Sequence, residues 1–150
     1  MKNIKNINNY NFNEKVAIIR VDFNVPLDKK LNITDTTRID LGINSIKYVL
    51  DNGGKCIIMS HLGRPKGNGY QKEYSLKNII KYLSVKLNRE ICLVDKYFSD
   101  SFSIQDYLIK SDIILLENLR FYSEEKQNDL KFSKKLAAMA DIYINNAFGT

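Results

Sequence analysis

A chain of 150 residues is long enough for one domain with its own hydrophobic core, and 44% hydrophobic against 27% charged residues is an ordinary globular balance. No apolar run reaches membrane-spanning length and residues 1–13 lack the apolar core of a signal peptide, so a cytoplasmic protein without a membrane partner is expected. The net charge of +6 attracts anions, yet the lysines are scattered without a basic block or an RNA-binding motif, which argues against a nucleic-acid partner.

Lys15–Val21 (KVAIIRV) reads as a buried strand followed by a turn. From Asp35 to Leu50 the residues Ile39, Ile43, Ile46 and Leu50 fall on one helical face, and Asn52-Gly53-Gly54 predicts a left-handed C-terminal cap. Lys55–Ser60 (KCIIMS) is a second strand, and the Gly-rich run His61–Tyr70 a loop. Ser75 is the expected N-cap of a helix whose stripe is Leu76, Ile79, Ile80, Leu83 and Leu87.

Ile91–Val94 is a third strand, and a short helix over Ser103–Ile109 leads to a fourth, Asp112–Leu116. A helix is predicted over Asp129–Ala140, with Leu130, Leu136, Ala137 and Ala140 inward, and a fifth strand over Asp141–Asn145. Cys56 and Cys92 stand in apolar stretches without CxxC spacing, which favours buried free thiols over a disulfide. Apolar strands alternating with helices predict an α/β fold: an open, mostly parallel sheet with helices on both faces, Rossmann-like. The sequence stops at Thr150 directly after a strand, and is therefore expected to be incomplete at its C-terminal end.

Ligands of open α/β sheets bind outside the carboxyl ends of the strands. The first strand empties into Asp22-Phe23-Asn24, the second into His61-Leu62-Gly63-Arg64, the fourth into Glu117–Phe121 and the fifth into Asn145-Asn146. Only five of the 23 basic residues are arginine, so their placement is informative. Arg64 and Arg120 stand in post-strand loops and Arg38 at the start of the first helix, together with the sole histidine, His61. A guanidinium is a planar, permanently charged fork that matches phosphate or carboxylate oxygens. Arg20 and Arg89 read as structural.

Each residue also has a plainer reading. A loop arginine is commonly a surface charge, a histidine before glycine commonly a loop hydrogen-bonder, and Asp22 and Asn24 can simply close a turn. Joint placement at one sheet edge is what points to a phosphate-ester site. One histidine and two distant cysteines make no zinc cluster, and there is no GxSxG elbow, GxxxxGK[ST] loop or GxGxxG.

The segments RVDFNVP (Arg20–Pro26), Thr37-Arg38-Ile39, SHLGRP (Ser60–Pro65), ENLRF (Glu117–Phe121) and AFGT (Ala147–Thr150) resemble the signature of the phosphoglycerate kinases, in order and spacing. The resemblance implies a two-domain, monomeric glycolytic kinase that moves a phosphoryl group reversibly between 1,3-bisphosphoglycerate and ADP, giving 3-phosphoglycerate and ATP. It implies that residues 1–150 are the N-terminal phosphoglycerate-binding domain, and that Mg-ATP or Mg-ADP is a co-substrate held by a C-terminal domain absent here. Alone, the 150 residues are then expected not to turn over.

By the same resemblance Asp22 and Asn24 meet the glycerate end, His61, Arg64 and Arg120 hold the unreactive 3-phosphate, and Phe23, Leu62 and Gly63 belong to the substrate site beside them. Arg38 is the implied catalytic residue, bridging the carboxyl oxygen and the transferring phosphoryl group, and no metal ligand is implied in this chain. Two departures stand out: Asn145-Asn146 where the family pattern has Asn-Asp, and Asn44-Ser45 where it often has Pro-Thr. The alternative readings are a non-enzymatic phosphate-anion-binding α/β module and a structural or partner-binding fragment without a ligand site.

Overall fold

Every long apolar run becomes a strand, and all six strands run parallel in one sheet. The structure, a computed structural model, describes residues 2–3, 7–67, 69–123 and 130–146. In chain order the elements are β1 (Lys2–Asn3), β2 (Val16–Val21), α1 (Thr37–Asp51), β3 (Lys55–Met59), α2 (Lys77–Leu87), β4 (Cys92–Val94), α3 (Gln105–Leu108), β5 (Ile113–Leu116), α4 (Leu130–Ala137) and β6 (Ile142–Asn146). The sheet order is β1-β6-β2-β3-β5-β4.

Side chains alternate across a strand, so an unbroken apolar run needs cover on both faces. Ala17, Ile19, Val21, Cys56, Ile58 and Leu115 face α1 and α2 in one core. Ile18, Ile57, Met59, Ile114 and Leu116 face the opposite way, into a second core with α3 and α4. The register matches: Ile18 stands beside Ile57, and Ile57 beside Ile114. Burial pushes the Cys56 thiol far above its usual range, and both cysteines are free, Cys56 buried and Cys92 half-buried.

Helix α1 buries Ile39, Ile43, Ile46, Val49 and Leu50, each worth about 1.5–3 kcal/mol when fully covered. Its end is the expected left-handed cap. Gly53, at φ +84°, donates to the Leu50 carbonyl, and Gly54 donates to that of Val49, which together satisfy two orphan carbonyls. At its start, Asp35 accepts from the Thr37 N–H at 2.9 Å and the Thr37 hydroxyl at 2.6 Å.

Three details differ from the sequence expectation. Strand β1 was not anticipated, because its pairing of Lys2 with Ile142 is a backbone relation that no side-chain pattern encodes. Helix α2 begins at Lys77, and Ser75 supports it by accepting the Lys77 N–H at 3.1 Å. Helix α4 ends at Ala137, before the expected Ala140, and is rotated. Phe132 and Met139 are buried while Leu130, 68% exposed, and Ala137 face out. Phe132 packs against Phe98 at 5.0 Å and Tyr122 at 5.5 Å, and that aromatic area outweighs the Leu–Ala face. Leu136 and Ala140 are half-buried in the same core. Asp129, expected at the start of this helix, and the AFGT segment lie outside the described residues.

Candidate functional site

The two cores locate the site. Strand β3 leads into α2 on one face, whereas its sheet neighbour β5 leads towards α4 on the other. Loops from two adjacent strands thus part to opposite faces, which opens a crevice at their carboxyl ends, the usual ligand position in such sheets. Ser60–Arg64 leaves β3 and Glu117–Phe121 leaves β5 at this point, and the Asp22–Asn24 loop of β2 lies alongside.

One peptide unit fastens the three loops. The Gly63 N–H donates to Asn24 Oδ1 at 2.8 Å, and the Leu62 carbonyl accepts from Asn118 Nδ2 at 2.8 Å. The Leu62–Gly63 peptide is therefore pinned at both ends, to the loop after β2 and to the loop after β5. Ser60 adds a further tie, its Oγ accepting the Phe23 N–H at 2.9 Å. Gly63 is at φ +63°, and a Cβ there would stand 2.4 Å from Tyr74 Cδ1, so the position requires glycine.

Asp22 and Arg38 meet on the same edge. Asp22 Oδ1 closes its own turn by accepting the Asn24 N–H at 3.1 Å, and lies 3.4 Å from Arg38 Nη1. The same Nη1 donates to the Asn24 carbonyl at 3.0 Å. Arg38 stands in the first turn of α1, where the helix dipole favours an anion. Asp22 thus caps a turn and faces a guanidinium.

Arg120 follows in the short helical turn Leu119–Phe121. Its backbone N–H donates to Asn118 Oδ1 at 3.0 Å, and its buried Nε finds no acceptor among the described residues. His61 is half-buried, and Arg64 is exposed and joins none of the bonds described above. Phe23 and Leu62 place their side chains in the core, 0% and 2% exposed, leaving only backbone atoms near the crevice. Arg89 reaches Asp112 at 3.3 Å, at the start of β5 and away from the crevice.

Sequence reading passed over the residues that hold the loops. Glu117, 4% exposed, accepts from the Ser75 hydroxyl at 2.6 Å, the Leu76 N–H at 2.7 Å and the Asn118 N–H at 2.9 Å. Among the described residues no cation pairs with Glu117; its oxygens are satisfied instead by hydroxyl and N–H donors at the N-terminus of α2, where the helix dipole also favours them. The available signal was two polar residues, Glu117 and Asn118, directly after the wholly apolar run Ile113–Leu116. Among the described residues no group of three His, Cys, Asp or Glu side chains is placed to hold a metal ion, and no helix is long and apolar enough to cross a membrane.

The family model described as phosphoglycerate kinase matches residues 7–150. The chain belongs to the phosphoglycerate kinase family. A phosphoglycerate kinase of Wolinella succinogenes is 47% identical over 150 residues, covering 99% of this chain and 37% of that protein. The chloroplastic phosphoglycerate kinase of Volvox carteri is 46% identical over 151 residues, covering 99% of this chain and 32% of its own length. The solved phosphoglycerate kinase of Coxiella burnetii superposes with a TM-score of 0.81 at 32% identity, over 96% of this chain and 35% of that one. The chain thus spans about a third of the length of the curated relatives it matches. The expected open α/β architecture is borne out by this likeness and by the six-stranded parallel sheet.

Proposed function

We propose that the protein carries out the phosphoglycerate kinase reaction, and that these 150 residues supply its 3-phosphoglycerate site. Support comes above all from the crevice between β3 and β5, where a doubly pinned Leu62–Gly63 peptide draws together loops bearing His61, Arg64 and Arg120, with Arg38 on the adjoining α1. In this reading Arg120, Arg64 and His61 grip the remote phosphate and Asp22 and Asn24 face the glycerate end, while the buried Phe23 and the pinned Leu62–Gly63 peptide shape the substrate site beneath them. Arg38 is the catalytic residue. The magnesium nucleotide is a co-substrate bound by sequence other than these residues, in accord with the lack of a phosphate-cradling glycine loop here. The protein acts in the cytoplasm as a monomer.

The chemistry suits such a site. In the ATP-forming direction a β-phosphate oxygen of ADP bonds to the phosphorus of the acyl phosphate, and the P–O bond to the acyl carbon's oxygen breaks. The carboxylate leaves already ionised. The reverse step uses the same carboxylate as nucleophile, so neither direction needs a general base. The barrier lies in aligning two anions, which fixed positive charge and positioning address. Holding the unreactive phosphate with several donors uses remote binding energy to orient the reacting end.

Amide chemical shifts of the full-length protein test this reading during titration with 3-phosphoglycerate or inorganic phosphate. The amides of Asp22, His61 and Arg120 should respond to 3-phosphoglycerate at the lower concentration. Equal responses to both ligands would favour a general phosphate-anion-binding module. Silence in all three loops would leave a structural fragment without a ligand site.

A further inference from the structure

We infer that Asn118 is the positioning residue of the anion site: its side-chain amide, without touching a ligand, sets how the β3 and β5 loops stand to each other. This rests on the phosphoglycerate-site reading given above. Ladder pairing between β3 and β5 extends only to Ile58 beside Leu115. Past that register the strands' exits diverge to opposite faces of the sheet, and no ladder pairing holds the loops together. Among the described residues two backbone bonds remain, from the Leu119 N–H to the Ser60 carbonyl at 3.1 Å and from the Gly69 N–H to the Phe121 carbonyl at 3.0 Å. Glu117 holds the start of α2, and Asn118 supplies the side-chain tie to the His61–Arg64 loop itself.

Its amide offers two N–H donors and one carbonyl acceptor. Nδ2 donates at 2.8 Å to the Leu62 carbonyl, within the His61–Arg64 loop, and at 2.8 Å to the Tyr74 carbonyl, just before α2. Oδ1 accepts the Arg120 N–H at 3.0 Å. The residue is 0% exposed, so water does not replace a lost partner. Three consequences meet there: the Leu62–Gly63 peptide is oriented, the entry to α2 is tied down, and the backbone that aims Arg120 is fixed. An aspartate of the same shape would set an oxygen against two carbonyl oxygens, so shape alone does not suffice.

The test uses the full-length protein with Asn118→Asp and Asn118→Ser, and Leu108→Ala, on the buried side of α3, as a control destabilised from the far side of the sheet. Calorimetry with 3-phosphoglycerate reads affinity, thermal melting reads stability, and amide resonances of Gly63 and Arg120 in ligand-free protein read loop order. Both Asn118 variants should bind about tenfold to a hundredfold more weakly and shift or broaden the Gly63 and Arg120 resonances. Leu108→Ala should keep its affinity within about twofold despite a lower melting point. Wild-type affinity in a folded Asn118 variant overturns the proposal, as does an equal loss in Leu108→Ala. Should Asn118→Asp fail to fold, Asn118→Ser, which keeps an acceptor near the Arg120 N–H, decides the matter. If the unaltered protein ignores 3-phosphoglycerate, the site reading fails instead, and unmoved Gly63 and Arg120 resonances in the variants would separately defeat the positioning role.

Discussion

Arg38 leans on the loop it serves: its Nη1 donates to the Asn24 carbonyl at 3.0 Å and lies 3.4 Å from Asp22 Oδ1. The Arg38 side chain is 52% exposed, and ion pairs this open contribute roughly 0–1 kcal/mol after solvent screening. Fold stability therefore depends little on this residue. The proposed chemistry depends on it heavily, because its charge would offset the negative charge of the moving phosphoryl group. Arg38→Ala in the full-length enzyme should leave the melting temperature nearly unchanged and lower kcat on the order of 10³-fold, with a smaller change in KM. Arg38→Lys keeps the charge and loses the fork, so it should recover only part of the rate. Steady-state kinetics with a matched thermal melt checks both, and an unchanged kcat in Arg38→Ala removes it from the catalytic role.

Gly63 is the opposite case, a residue without a functional group on which the site's shape depends. Alanine there meets a left-handed backbone, costing about 1–2 kcal/mol, and a tyrosine ring 2.4 Å from its Cβ. The Tyr74 carbonyl is held by Asn118, so relief has to come from swinging the ring. Gly63→Ala should lose about 1–3 kcal/mol in chemical denaturation and bind 3-phosphoglycerate more weakly. Wild-type stability would show that the ring moves freely and that the close approach carries no constraint.

Much of this was legible in the letters. Unbroken apolar runs such as KVAIIRV announced doubly covered parallel strands, and Asn52-Gly53-Gly54 announced the left-handed cap that Gly53 adopts. The arginines proposed for the site stood out because arginine is scarce in this chain. The order of the strands was not legible. That β5 inserts between β3 and β4 depends on long-range pairing, and only that order places SHLGRP beside ENLRF. The supporting residues were hidden for a related reason. Ser60, Glu117 and Asn118 act through hydrogen bonds to backbone atoms far away in sequence, and neither composition nor periodicity records those. Helix α4 misled because two apolar faces compete on it, and the aromatic partners Phe98 and Tyr122 that decide the contest come from other loops.

The two departures from the family pattern touch each other. Asn146 Nδ2 donates to Ser45 Oγ at 2.8 Å, and that hydroxyl donates to the Gly42 carbonyl at 3.2 Å. An amide at 146 supplies a donor where an aspartate would supply an acceptor, and a rotating hydroxyl at 45 serves either. Asn146→Asp should therefore change stability by less than about 1 kcal/mol, with Ser45 turning to donate to the new carboxylate. A double-mutant cycle of Asn146→Ala and Ser45→Ala should return a coupling of about 0.5–1.5 kcal/mol. Strict additivity in urea melts would mean that the contact is idle.

The α1–α2 contact should make stability depend on acid. Tyr82 on α2 donates its hydroxyl to Asp40 Oδ1, and the Thr36 hydroxyl donates to Oδ2 at 2.9 Å. These donors, the tyrosine foremost, favour the carboxylate and hold the Asp40 carboxyl below its usual range. Because the folded value lies under the unfolded one, this contribution is complete above the ordinary aspartate value of about 3.9. It fades as pH falls through the lower, folded value. Tyr82→Phe removes the largest cause, so the midpoint of Asp40 should rise towards the ordinary value in a carboxyl-carbon NMR titration. The variant should be less stable than the parent at neutral pH, and the gap should narrow once the solution is acid enough to protonate Asp40 in both. An unmoved Asp40 midpoint would mean that the tyrosine hydroxyl spends its time in water, leaving the α1–α2 contact to apolar packing alone.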